Sequence, residues 1–105
     1  LMFVEVVCPE ENCFSGDATM VISRTPNGEI GILEGHEQTV ATLLPGGLTI
    51  EHDNTRTSFA ISGGILQITA EKVVVLGEIV EKVDGDHEKA IEIGQELGKK
   101  AFPEE

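Results

Sequence analysis

Long apolar runs are absent: nowhere does the chain sustain the ~18 consecutive apolar residues that a membrane-spanning helix needs. The N-terminus, Leu1-Met2-Phe3-Val4-Glu5, has neither the basic start nor the apolar centre of a secretory signal. A cytoplasmic protein is therefore expected, with Leu1 read as a non-native addition ahead of Met2. Cations are scarce as well. Seven Lys and Arg stand against nineteen Asp and Glu, a formal charge of −12 over 105 residues. Nucleic-acid binding needs cations to displace phosphate counterions, so that class of partner is excluded. The same field disfavours direct seating on anionic lipid. The acid is spread along the chain: residues 1–77 carry ten acids and three bases, residues 78–105 nine and four. Such a charge keeps a protein soluble, and it also suits a basic partner whose encounter it would steer.

Cysteine is limited to Cys8 and Cys13, too few to close a structural zinc site without His or carboxylate help. None of His36, His52 and His87 stands at a ligand spacing from them. No metal or other cofactor is expected. In the absence of a secretory signal, the pair reads as two reduced thiols in or beside strands rather than as a disulfide. Catalytic motifs are missing too. The glycines between Gly28 and Gly35 are not followed by Lys-Ser/Thr, so they form no phosphate loop. Ser62-Gly63-Gly64 offers a hydroxyl, but a nucleophile needs a base held by a third group, and no spacing recruits His36 or Asp53 to that task. Glu10-Glu11 and Glu104-Glu105 read as solvated turn and tail charges. The chain is not expected to be an enzyme.

What is present is a succession of short strands. Met2 to Cys8 alternates, with Phe3, Glu5 and Val7 on one side and Val4 and Val6 on the other, and stops at Pro9. Phe14-Ser15-Gly16-Asp17 reads as a turn, and Ala18 to Thr25 as a strand rich in β-branched residues. Pro26-Asn27-Gly28 is a strong turn. Glu29 to Leu33 and Thr39 to Leu44 are further strands, broken by Gly35-His36 and by Pro45-Gly46-Gly47. Leu48 to His52 and Thr57 to Ser62 pair as a hairpin across 53–56. Gly63-Gly64 marks a bulge or close backbone crossing, and Ile65 to Thr69 and Val73 to Leu76 complete the series. Strands at about ten-residue spacing, punctuated by Gly, predict an all-β sandwich or flattened barrel.

After Gly85 the texture changes. Residues 86–101 are rich in Glu, Lys and Ala, as helices are. Ala90, Ile93 or Gly94, Leu97 and Ala101 recur three or four apart, a thin apolar stripe. Asp86 suits the N-cap, Lys99 and Lys100 suit the negative end of the helix dipole, and Pro103 should end the helix. Gly94 and Gly98 each cost about 1 kcal/mol in a helix interior. A helix that keeps both is expected to use them for close approach to the sandwich.

These segments resemble one family in order and spacing. The matching stretches are Phe14-Ser15-Gly16, Asn27 to His36, Leu44-Pro45-Gly46, Phe59 to Leu66, and Lys72 to Leu76. Together they are similar to the epsilon subunit of F-type ATP synthases, called delta in mitochondria. The resemblance implies a mainly β protein: a ten-stranded β-sandwich over residues 2–83, then a short, truncated helical segment over 84–105. It implies a non-catalytic rotor subunit of the central stalk that couples the gamma subunit to the c-ring, at the cytoplasmic face of a bacterial membrane and not inserted in it. Carried over by position, Glu29 with Asn27, Gly28 and Ile30 is expected to meet the c-ring loops. Cys8, His36, Ala41 and Ser62 fall on the gamma-facing side. The alpha and beta subunits are further implied partners through the C-terminal helix.

Departures from the family pattern qualify this. Glu34 stands where Pro is frequent, and Glu37-Gln38-Thr39 where Ala-Pro-Leu is frequent. Full-length members carry two C-terminal helices that can block ATP hydrolysis, and only the first has room here. Some members bind ATP through Ile/Leu-Asp-x-x-Arg-Ala, against which this chain sets Gly85-Asp86-His87-Glu88-Lys89-Ala90. Lys89 is a point donor where Arg is a planar fork. Nucleotide binding through Asp86 and Lys89 is accordingly expected to be weak or absent, and hairpin-type inhibition reduced or lost. The competing reading is a free-standing acidic β-sandwich that binds a regulatory partner.

Overall fold

A computed structural model describes residues 1–102; Pro103, expected to stop the helix, and the Glu104-Glu105 tail lie outside the described residues. Ten strands precede one helix: β1 (Met2–Cys8), β2 (Glu11–Ala18), β3 (Met20–Thr25), β4 (Gly28–Leu33), β5 (Thr39–Leu43), β6 (Gly46–His52), β7 (Thr55–Ile61), β8 (Gly64–Ile68), β9 (Lys72–Gly77), β10 (Val80–Val83) and α1 (His87–Ala101). They form two five-stranded sheets, sheet I in the order β2-β1-β9-β8-β5 and sheet II in the order β10-β7-β6-β3-β4. Every pairing is antiparallel except β1 with β9.

The core lies between the sheets and follows from alternation. On β1 the side chains of Met2, Val4 and Val6 are buried while Phe3 is exposed, because successive residues of a strand face opposite ways. Leu66, Ile68, Val73 and Val75 complete the inner face of sheet I, and Val21, Ile32, Leu48, Ile50, Phe59 and Ile61 oppose them from sheet II. The hairpin between β6 and β7 turns on Asp53 and Asn54, both with positive φ (49° and 61°), the left-handed pair that a two-residue hairpin turn requires.

Strands β6 and β7 are buried on both faces from Gly46 to Ile50 and from Ser58 to Ile61, because α1 lies across the outside of sheet II. Ala60, Val83, Ala90 and Leu97 form a second apolar cluster beneath the helix, with Ile79 and Ile93 packed against it. Asp86 is the N-cap: its Oδ1 accepts a hydrogen bond from the Lys89 backbone N–H at 2.9 Å. The close approach expected of the two helix glycines is present. A Cβ on Gly94 would stand 1.9 Å from the carbonyl oxygen of Gly46, and one on Gly98 would stand 2.6 Å from the Pro45 ring.

Two sequence expectations are corrected and one unassigned segment is placed. Phe14-Ser15-Gly16-Asp17 is not a turn but the middle of β2, pairing with β1 from Met2↔Ala18 to Cys8↔Glu11. Backbone pairing sustains this edge strand although its side chains do not alternate cleanly, and the Phe14 ring meets Phe59 edge-on at 5.9 Å. Val80–Val83, unassigned from sequence, is a short edge strand on β7. Cys8 and Cys13 are bonded as a disulfide rather than free. The partner of Val6 is Phe14 and that of Val7 is Asn12, so Cys13 is an extra, bulged residue. That bulge brings it within 6.2 Å of Cys8, Cα to Cα, inside the span a disulfide bridges.

Candidate partner-docking surfaces

The residues expected to meet the c-ring sit together on the β3–β4 hairpin. Thr25 organises its turn, accepting a hydrogen bond from the Asn27 N–H at 3.1 Å and donating one to the Gly28 carbonyl at 3.2 Å. Gly28 has φ +114°, a conformation that only glycine takes without strain. Asn27 and Glu29 are exposed, Gly28 and Ile30 half-buried, and β4 is an edge strand of sheet II. Glu29 pairs across the ladder with Arg24, but its carboxylate reaches elsewhere: Oε1 accepts a hydrogen bond from His87 Nε2 at 2.7 Å.

That contact is one link in a series which sequence reasoning missed. His87 Nδ1 is hydrogen-bonded to the Thr49 hydroxyl, and Thr49 shares a 2.8 Å hydrogen bond with Ser58. Thr49 and Ser58 are buried polar residues of sheet II, and α1 covers them. Carboxylate, imidazole and hydroxyl in sequence resemble the arrangement of nucleophilic catalysis. Thr49, however, has no exposed surface, so no substrate can reach its hydroxyl. The series satisfies buried polar groups under the helix and does no chemistry. Among the described residues no cluster of three or more His, Cys, Asp or Glu could hold a metal ion.

The residues expected on a gamma-facing side are spread along sheet I and its ends. Cys8 and Ser62 line the same groove of about 670 Å³, with Val7, Pro45, Ile65, Leu76 and Phe102. His36 lies at the other end of the sheet beside Glu34 and Ile68–Val73, with its N–H donating to Leu33 and its ring Nδ1 hydrogen-bonded to the Glu37 carbonyl. Ala41 faces inward against the core. Ser62 is fully buried, and its hydroxyl accepts from the Ile79 N–H at 3.1 Å, so its side chain presents nothing to a partner.

The outward side chains between these points are mixed, with apolar residues in the majority. One row across sheet I runs Thr42, Ile65, Leu76, Val7, and the next runs Val40, Gln67, Val74, Glu5. Val40 is 72% exposed, Ile65 49% and Leu76 45%. Nothing among the described residues covers this face, whereas the outside of sheet II lies under α1. Of the two residues matched to the family's nucleotide motif, Asp86 has its carboxylate engaged at the N-cap and Lys89 is exposed. Among the described residues no helix is long and apolar enough to cross a membrane.

Fold and surface define a β-sandwich sealed by a helix on one sheet and open on the other. The family described as ATP synthase, Delta/Epsilon chain, beta-sandwich domain matches residues 1–83, and the chain belongs to that family, whose members are structural and not catalytic subunits of ATP synthase. The ATP synthase epsilon chain of Rhodococcus opacus is 38% identical over 103 residues, which cover 91% of this chain and 84% of that one. That of an Exiguobacterium is 39% identical over 97 residues, 89% of this chain and 71% of the relative. Among solved structures, a chain of the Euglena gracilis mitochondrial ATP synthase (OSCP/F1/c-ring, rotational state 1) superposes with a TM-score of 0.75 at 28% identity. The match covers 99% of this chain and 68% of that one. A chain from the central stalk and c-ring of the Tetrahymena thermophila enzyme gives 0.65 at 19% identity over 75% of this chain and 64% of its own, a likeness of fold alone.

Proposed function

We propose that this chain couples the gamma subunit to the c-ring in the rotor stalk of a proton-driven ATP synthase, at the cytoplasmic face of a bacterial membrane and peripheral to it. The observation that carries the reading is the uncovered, largely apolar face of sheet I. Exposed Val40, Ile65 and Leu76 on adjacent strands mark a surface that another protein covers. Gamma seats there, between the groove that holds Cys8 and the loop that holds His36. The β3–β4 hairpin is turned to the c-ring, with Glu29 meeting its basic or polar loops. Rotation passes through the sandwich, 2–83, as through a rigid spacer, and α1 of the C-terminal segment is docked on its back. ATP binding is weak or absent, in keeping with the engagement of Asp86 at the helix N-terminus. Affinity purification of the tagged chain from solubilised membranes tests the reading: gamma and c-ring should come with it. Their absence from intact membranes would leave the free-standing acidic module as the better account.

A further inference from the structure

Glu29 is the acid turned toward the c-ring in the proposed function, yet one of its oxygens is already engaged by the helix. A carboxylate only accepts hydrogen bonds, so His87 Nε2 carries the proton in the 2.7 Å contact with Oε1. The imidazole is set from behind by the Thr49 hydroxyl and, through it, by Ser58. It rests on Gly47, where a Cβ would come within 3.0 Å of Cε1. The His87 side chain is 14% exposed and that of Glu29 41%. His87 is the first residue of α1 and stands 58 positions from Glu29, so one imidazole joins the start of the helix to the β3–β4 hairpin. Oε2 of Glu29 makes no hydrogen bond among the described residues. A carboxylate has room for several donors on its two oxygens, so a cation can take Oε2 while His87 keeps Oε1.

We propose that His87 couples the docking of α1 to the readiness of Glu29 for a cationic partner group. With the helix seated, the imidazole fixes the glutamate rotamer and leaves its free oxygen outward. Ordering that side chain in advance removes part of the entropy cost of partner contact. Linkage makes the effect reciprocal: whatever factor the docked helix adds to partner affinity, the partner adds to helix docking. The inference rests on Glu29 being the ring-facing acid, and its two halves are read separately. In the isolated chain, Glu29→Ala and His87→Ala should each speed amide hydrogen exchange across residues 87–101 by about three- to tenfold, the range a single net hydrogen bond provides. Exchange in β1 and β9 should stay unchanged, which shows that the sandwich still folds. Purified c-rings in detergent should slow α1 exchange in the native chain by a similar factor and leave His87→Ala unaffected, with a correspondingly weaker c-ring affinity for that variant. Unchanged α1 exchange in Glu29→Ala overturns the coupling whatever the c-ring does. Equal slowing by c-rings in the native chain and in His87→Ala overturns it as well. Native chain that loosens as expected on Glu29→Ala, yet never binds c-rings, overturns instead the assignment of Glu29 to the ring.

Discussion

Replacing Gly94 by alanine sets two effects of opposite sign against each other. Helix propensity alone makes the exchange favourable by about 1 kcal/mol, since Gly is the costlier residue in a helix interior. Packing opposes it. The new methyl would lie 1.9 Å from the Gly46 carbonyl oxygen and 2.6 Å from its carbon. Non-bonded atoms rest near ~3.5 Å, so the helix must back away by roughly 1.5 Å. The obstacle is backbone in the middle of sheet II and has no rotamer to yield. Overpacking of this kind costs about 1–3 kcal/mol. Retreat also opens a gap under Ala90 and Leu97, and full burial of a leucine side chain contributes about 1.5–3 kcal/mol. The net expectation is a loss of about 2–3 kcal/mol, seen in urea melts as a lower midpoint. Hydrogen exchange should show the loosening concentrated in residues 87–101. Gln95→Ala, on the exposed side of the same turn, should stay within about 0.5 kcal/mol of the native chain. Stabilisation of Gly94→Ala by about 1 kcal/mol would show that the helix is not seated as described.

Other expectations follow from single contacts. Asp86→Ala removes the carboxylate that caps the Lys89 N–H and should cost about 1 kcal/mol in thermal or urea unfolding, with Asp86→Asn recovering most of it. Reduction of Cys8–Cys13, or Cys13→Ser, opens a loop of sequence separation 5 and should cost up to about 2 kcal/mol on the chain-entropy estimate. No loss of stability on reduction would mean that β1–β2 pairing already holds the hairpin closed in the unfolded ensemble.

Much of the sandwich was legible because its strands alternate or end at turn residues whose φ values the fold requires. Met2 to Cys8, the Asn27-Gly28 turn and the 48–62 hairpin are in this class, and Asp86, Gly94 and Gly98 announced how the helix begins and where it touches. What stayed hidden had a common cause. Strand β2 is an edge strand with a bulge, held by the backbone of β1, and its side-chain pattern ENCFSGDA carries no period of two. The Cys8–Cys13 bond depends on that bulge. The uncovered face of sheet I consists of outward residues from β5, β8, β9 and β1, and their adjacency exists only once the strands are in register. The contacts of His87 with Glu29 and Thr49 span 58 and 38 residues and answer to no local pattern. Burial likewise separates Ser62, which serves the fold, from Ile65 and Leu76 nearby, which face outward.

The uncovered face of sheet I is the central claim, and a paired charge substitution addresses it most directly. Ile65 and Leu76 are adjacent across β8 and β9, 49% and 45% exposed, so Ile65→Glu/Leu76→Glu removes little buried surface. Binding of this double variant to purified gamma subunit, measured by titration calorimetry beside the native chain, should be weakened at least about a hundredfold, since two desolvated carboxylates would lie in the interface. Its urea midpoint should stay close to native. Undiminished gamma affinity in a double variant that remains folded would contradict the account and move the partner surface elsewhere.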